Sequence, residues 1–234
     1  MTHRHFQDDL DRLKSSLVGM AGLAEHAVHD AVEALLRRDE AKAKRVIDGD
    51  EVIDDFEMQI EDMAVNLLAL QQPMARDLRL IIMALKISSD LERVGDHAVN
   101  IAEAVEWLLQ APLFPVLPEI EEMVRLATDM LTDSLDAFVK GDPVAARDVL
   151  RRDDRVDELH ENNFRILLTH MMEDAHTIGA GMELFLVSRN LERVADLATN
   201  IGEDVVFLVE GRSIKHHAED RGEARERATH TFGR

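Results

Sequence analysis

Two stretches one hundred residues apart, DLERVGDHAVNIAE at 90–103 and NLERVADLATNIGE at 190–203, agree at nine of fourteen positions. No other feature constrains the fold as much, because a 234-residue chain that repeats itself at this spacing is built from two copies of one unit. Within the first copy Leu91, Val94, Ala98, Ile101 and Val105 recur at intervals of three and four, the period of a helix with one buried face.

The same period organises the rest of the chain. Phe6, Leu10, Leu13, Leu17, Met20, Ala24, Ala27, Ala31 and Leu35 mark a first long helix that ends near RRDE. Asp39 is placed to cap a second, from about Glu40 to Leu70, and Gln72–Pro73 breaks it from a third, from about Met74 to Gln110. Three of the five prolines fall in APLFPVLP, residues 111–118, which reads as a linker. A fourth helix follows from about Glu119 to Lys140. Gly141-Asp142-Pro143 then supplies a stop, a cap and a first-turn proline. A fifth continues to about Met172, and a sixth runs from about Ile178 to Glu210 with Gly211 as its stop. The expected architecture is all-α: two tandem antiparallel three-helix bundles, six long helices with an internal pseudo-twofold repeat. Residues 1–111 form the first repeat, 112–118 the proline-rich linker and 119–211 the second repeat. Residues 212–234 lose the apolar period and are expected to be a poorly ordered tail.

Composition narrows the partners. A formal charge of −20 opposes non-specific nucleic-acid binding, which needs cationic side chains to displace counterions. With no cysteine, any metal must be held by oxygen or imidazole ligands. The longest apolar run, LIIMAL at 80–85, is far short of the roughly 20 residues of a membrane span. The charged opening MTHRHFQDDLDRL leads to no expectation of a secretory signal, and direct membrane insertion is not expected.

Chemistry concentrates on the repeated helix. At about 100° per residue, Glu92, Asp96, Asn100 and Glu103 share one polar stripe opposite the apolar one. Such a stripe is ordinarily a solvated face. Glu92 and Asp96 are four apart, however, where like charges destabilise a helix by roughly 0.2–0.5 kcal/mol, and the pattern recurs at Glu192, Asp196, Asn200 and Glu203. No lysine occurs between Lys86 and Lys140 or between Lys140 and Lys215. The preceding helix of each half adds a second acidic stripe, Asp50, Asp54, Glu57 and Glu61 in one copy and Asp153, Asp157 and His160 in the other. Oxygen-rich clusters on facing helices are how bundles hold hard or borderline metals. Arg93 and Arg193 are expected to pair with Asp96 and Asp196 at the stripe margins. His97 becomes Leu197 in the second copy and is expected to be peripheral. The chain's one Glu-x-x-His, Glu173 and His176, sits at a helix end without a twin. There is no phosphate loop, strand-borne nucleophile or zinc-protease signature. Three functions stay open on these residues: a regulatory adaptor, a carboxylate-bridged metal enzyme (oxidase or hydrolase), and a helical scaffold whose acidic faces keep it soluble.

LERVGDHAVNIAE and LERVADLATNIGE, with the three-helix duplication and the Arg-x-Leu-Glu-Arg entry to the second copy, make the chain similar to the PhoU family of phosphate-uptake regulators over about residues 6–211. Ala195, where the first copy has Gly95, is a departure. The resemblance implies a cytoplasmic, non-enzymatic six-helix protein, peripheral to the inner membrane through its partners and forming a homodimer. It implies partnership with a phosphate ABC transporter ATPase and a membrane sensor histidine kinase, whose starvation signalling it restrains when phosphate is plentiful. It also implies a multinuclear divalent or trivalent metal, iron, zinc, manganese or magnesium, with Glu92, Asp96, Glu192 and Asp196 as the motif ligands. Asn100, Glu103, Asn200 and Glu203 extend those faces, and helical geometry adds Asp50, Asp54, Asp153 and Asp157.

Overall fold

Helices in this chain end where local chemistry stops the backbone hydrogen-bond ladder. The computed structural model describes residues 2–71, 73–112, 114 and 116–214. It contains α1 (Thr2–Arg37), α2 (Glu40–Gln71), α3 (Ala75–Gln110), α4 (Pro118–Lys140), α5 (Pro143–Leu150), α6 (Asp153–Glu173) and α7 (Ile178–Glu210), with a single 3-10 turn at Ala175–Thr177. No strand occurs among the described residues. Asp39 caps α2 by accepting from the Lys42 amide at 3.0 Å. Asp142 does the same for α5, accepting from Val144 and Ala145 at 2.9 and 3.1 Å. Gly141 and Gly211 close α4 and α7 at φ of 63° and 71°, a backbone state in which a side chain is strained. Arg38 takes a positive φ without being glycine, and its guanidinium donates to the Leu108 carbonyl at the end of α3.

The fifth expected helix is broken. Arg151 and Arg152 form a turn between α5 and α6, so the fifth member of the six-helix plan is two segments. A close approach accounts for the geometry here. A Cβ at Gly202 would stand 2.8 Å from Leu150 and 3.1 Å from the Ala146 carbonyl oxygen, so α5 lies nearly against the α7 backbone and the chain must turn to bring α6 alongside α7. Gly202→Ala is expected to destabilise by about 1–2 kcal/mol, overpacking outweighing the gain in helix propensity. Gly22→Ala, on an exposed face of α1 with nothing within 4 Å, should stabilise by about 0.5–1 kcal/mol. Paired urea melts check both signs.

The buried side chains form one continuous core from Leu10 in α1 to Val206 in α7. The halves meet along α3 and α7, which run antiparallel: Lys86 reaches Asp204 at 3.8 Å, His97 Nδ1 lies 2.9 Å from Asn190 Oδ1, and Trp107 covers Gly179. Ile214, beyond the last helix, is 8% exposed and belongs to this core, so the end of the ordered packing lies past Gly211. The rest of the expected tail, 215–234, lies outside the described residues.

Candidate functional site

Close packing of α2 on α3 builds the first cluster. Gly95 lets the helices approach until a Cβ there would meet Ile53 at 3.0 Å and Asp50 Oδ1 at 3.1 Å. Ile53 fills the contact, and Asp50, Asp54 and Glu57 are carried beside Glu92 and Asp96. Burial, followed by Asp96, Glu57, Asp54 and Asp50, pushes the Glu92 carboxyl up to about 7. Asp50 is raised by burial and then by Asp54 and Asp96. Glu57 is raised by burial and then by Glu61, against a hydrogen bond to Ser89. Each charged neighbour acting on Glu92 is another carboxylate. The expected Arg93–Asp96 pair does not form: Arg93 turns to Asp90 at 3.7 Å, three residues the other way.

The second cluster lies between α6 and α7. Asp153 is pushed up to about 6 by burial, then by Asp196, Asp157, Asp154 and Glu192. Asp157 and Glu192 are also raised, each by burial first and Asp196 second. Here the cation arrives as expected, with Arg193 at 2.8 Å from Asp196 and 3.3 Å from Glu192. His160 occupies the place of Glu57. Burial lowers its pKa and keeps the ring neutral, the form that can donate a lone pair to a cation, and Nδ1 lies 3.0 Å from the Ser188 hydroxyl.

Not every expected ligand joins these groups. Asn100 and Glu103 line a groove between α3 and α7 instead. Glu103 lies about 16 Å along the axis from Glu92, near it in angle but not in height. Asn200 and Glu203 stand about 6 and 10 Å beyond Asp196 along α7. His97 faces the groove, hydrogen-bonded to Asn190.

The donor chemistry of both clusters suits a multivalent cation: carboxylate oxygens throughout, one imidazole, no thiolate, and too few internal cations to neutralise them. The spacing is that of uncompensated charge. Among the described residues the one trio of ligand atoms all within 4.8 Å is His29, Asp30 and Glu33. Periodicity gave no hint of that trio, and its occupant is Lys42, whose Nζ lies 2.7 Å from both Asp30 and Glu33. One group of carboxylates is thus closed by the chain's own ammonium, and the other two stand apart.

The PhoU domain profile matches the chain twice, at residues 17–105 and 120–205. A protein of Clostridium acetobutylicum, named as a phosphate-specific transport system accessory protein PhoU homolog, is 39% identical over 215 residues, 92% of this chain and 98% of its own. The chain belongs to the PhoU family. A Caulobacter vibrioides protein of the same name is 42% identical over 214 residues, 91% of this chain and 93% of that one. The crystal structure of PhoU from Pseudomonas aeruginosa superposes with a TM-score of 0.85 at 37% identity, covering 88% of this chain and 100% of that one. Each matched PhoU domain contains one acidic cluster, Asp50 to Asp96 in the first and Asp153 to Asp196 in the second. No helix of the described residues is long and apolar enough to cross a membrane.

Proposed function

We propose that this chain is a phosphate-uptake regulator: a metal-binding adaptor that restrains a phosphate ABC transporter and phosphate-starvation two-component signalling when phosphate is plentiful. Membership of a family whose relatives are named as accessory proteins of phosphate-specific transport supports the regulatory part. The metal part rests on one observation above others, a Glu92 carboxyl raised to about 7 amid acidic neighbours. A cation there relieves a repulsion that the fold otherwise retains. Glu92, Asp96, Asp50 and Asp54 would hold it in the first half, and Glu192, Asp196, Asp153 and Asp157 in the second. Bound metal would supply positive charge that draws α2 toward α3 and α6 toward α7; it performs no reaction in this reading.

The adaptor acts in the cytoplasm as a homodimer, reaching the inner membrane through the transporter ATPase and the sensor kinase. Its acidic exterior suits basic partner surfaces, which steer association through a field screened over about 8 Å at physiological salt. Deleting the gene should leave phosphate-starvation genes switched on in phosphate-rich medium, read with a reporter fusion. Normal repression in the deletion strain would overturn the adaptor reading. Steady oxygen consumption or phosphoester hydrolysis by the metal-loaded protein, lost on chelation, would favour a metal enzyme instead.

A further inference from the structure

The α3–α7 seam has two halves, one on each side of the level of Arg93 and Arg193, that the internal pseudo-twofold makes equivalent in backbone and free to differ in side chain. One carries an open groove of about 750 Å³, inside the roughly 300–1,000 Å³ range of small-molecule sites. Comparing each position with its repeat partner shows what distinguishes the two halves. Arg189 and Asn190 stand in the groove where the other half of the seam has Ser89 and Asp90. Leu186 and Ala104 stand where the other half has Lys86 and Asp204, whose charged ends approach to 3.8 Å across the seam. At one end the exchange adds a guanidinium and removes a carboxylate, and at mid-groove it removes an ion pair.

Charge in the groove is sorted by position. Arg93, Arg189 and Arg193 gather at one end, with Asp96 the carboxylate among them, in a chain whose formal charge is −20. Arg189 forms no ion pair within 4.0 Å among the described residues, whereas Arg93 and Arg193 are held by Asp90 and by Glu192 and Asp196. Glu103, Glu183 and Trp107 line the other end. Helical rise separates Arg189 from Glu183 by about 9 Å along α7, and Arg93 from Trp107 by about 21 Å along α3. The indole rests on Gly179, where a Cβ would stand 2.5 Å from the ring, and keeps 44% of its surface exposed. Guanidiniums recognise phosphoryl oxygens through paired N–H donors. An exposed indole offers a stacking face of the kind bases use, and flanking carboxylates accept from exocyclic amines.

We propose that this groove binds an adenine nucleotide, its phosphoryl groups on Arg93, Arg189 and Arg193 and its base on Trp107 between Glu103 and Glu183. The site uses no metal, so it stands whether or not the acidic clusters take one. The chain has one tryptophan and no tyrosine, so tryptophan emission reports on this groove alone. The full-length protein is titrated in EDTA with ATP, adenosine and inorganic phosphate, followed by emission and by calorimetry. ATP should quench saturably and bind at least tenfold more tightly than adenosine or phosphate. Arg189→Ser, which installs the residue of the equivalent half of the seam, should weaken ATP tenfold or more while leaving the melting temperature unchanged. Trp107→Phe should weaken ATP and adenosine but not phosphate. Absence of saturable ATP binding, or an Arg189→Ser affinity equal to the parent's, would overturn the site. Phosphate binding as tight as ATP would overturn the base assignment.

Discussion

Adding a suitable divalent or trivalent cation to the metal-free protein should raise its melting temperature by about 5–10 °C. A ligand that binds the native state alone stabilises it by RT ln(1 + [L]/Kd), about 2.7 kcal/mol at a hundredfold excess over Kd. For a domain of this size each kcal/mol moves Tm by about 2–4 °C. The candidates are iron, zinc, manganese and magnesium, and calorimetry across that series ranks them. His160 in place of Glu57 gives the second cluster an imidazole, so zinc or iron should favour it over magnesium. Glu92→Gln with Glu192→Gln should remove most of the rise. An unchanged Tm at millimolar concentrations of all four metals would mean that the clusters bind none of them.

In the absence of metal the pH dependence should run opposite to that of most folded proteins near neutrality. Glu92 has an ordinary pKa of 4.5 and is held at about 7 in the folded state; Asp153 moves from 3.8 to about 6. Between those limits the folded chain holds more protons than the unfolded one, so stability falls as pH rises. The loss is absent below about 4 and complete above about 7. Solvent screening at these partly exposed groups reduces it to an amount on the order of 1 kcal/mol per cluster. Asp30 and Glu33 bear on the acid side. Burial opposes the ionisation of Asp30, but hydrogen bonds from Lys42 and the nearby charge of His26 leave its pKa lowered. The Lys42 hydrogen bond likewise lowers Glu33. Their contribution is lost as pH falls below about 4, so metal-free stability should peak near pH 4–5. Glu92→Gln removes a proton-binding carboxyl and should flatten the slope between pH 5 and 8 while stabilising the metal-free protein at pH 8. Thermal melts at half-unit pH intervals in EDTA would contradict the crowding of these carboxylates if Tm rose steadily from pH 5 to 8.

The legible parts of the fold were those with a local chemical marker. Asp39, Pro73, Gly141-Asp142-Pro143 and Gly211 each act within a turn of where they stand, and the structure honours them. The break at Arg151–Arg152 has no such marker. It follows from how closely α5 rides on Gly202, fifty residues away, which no local window contains. The acidic clusters were visible because repulsion between i and i+4 carboxylates is written in the spacing. Asn100, Glu103, Asn200 and Glu203 share the stripe in angle but stand further along their helices, because periodicity reports angle around a helix and is silent on height along it. Arg93 shows a further limit. With Asp90 three residues before it and Asp96 three residues after, the sequence offers two equivalent partners, and packing chooses Asp90. The Lys42 clamp joins residues on two helices, and neither helix's period reveals it.

The antiparallel seam of α3 and α7 also bears on ancestry. Each of these helices is covered on one side by its own bundle and on the other by its counterpart, as two identical subunits cover one another across a twofold axis. One repeat is therefore half of a symmetric interface. A single-repeat forebear of this chain would have had to assemble as a pair, and duplication with fusion would have joined that pair through the 112–118 connection. Once joined, equivalent positions no longer had to carry the same residue, and Arg189 could part from Ser89 and His97 from Leu197. Residues 1–111 produced alone should revert to the older arrangement, sedimenting as a dimer whose seam is α3 against a second α3.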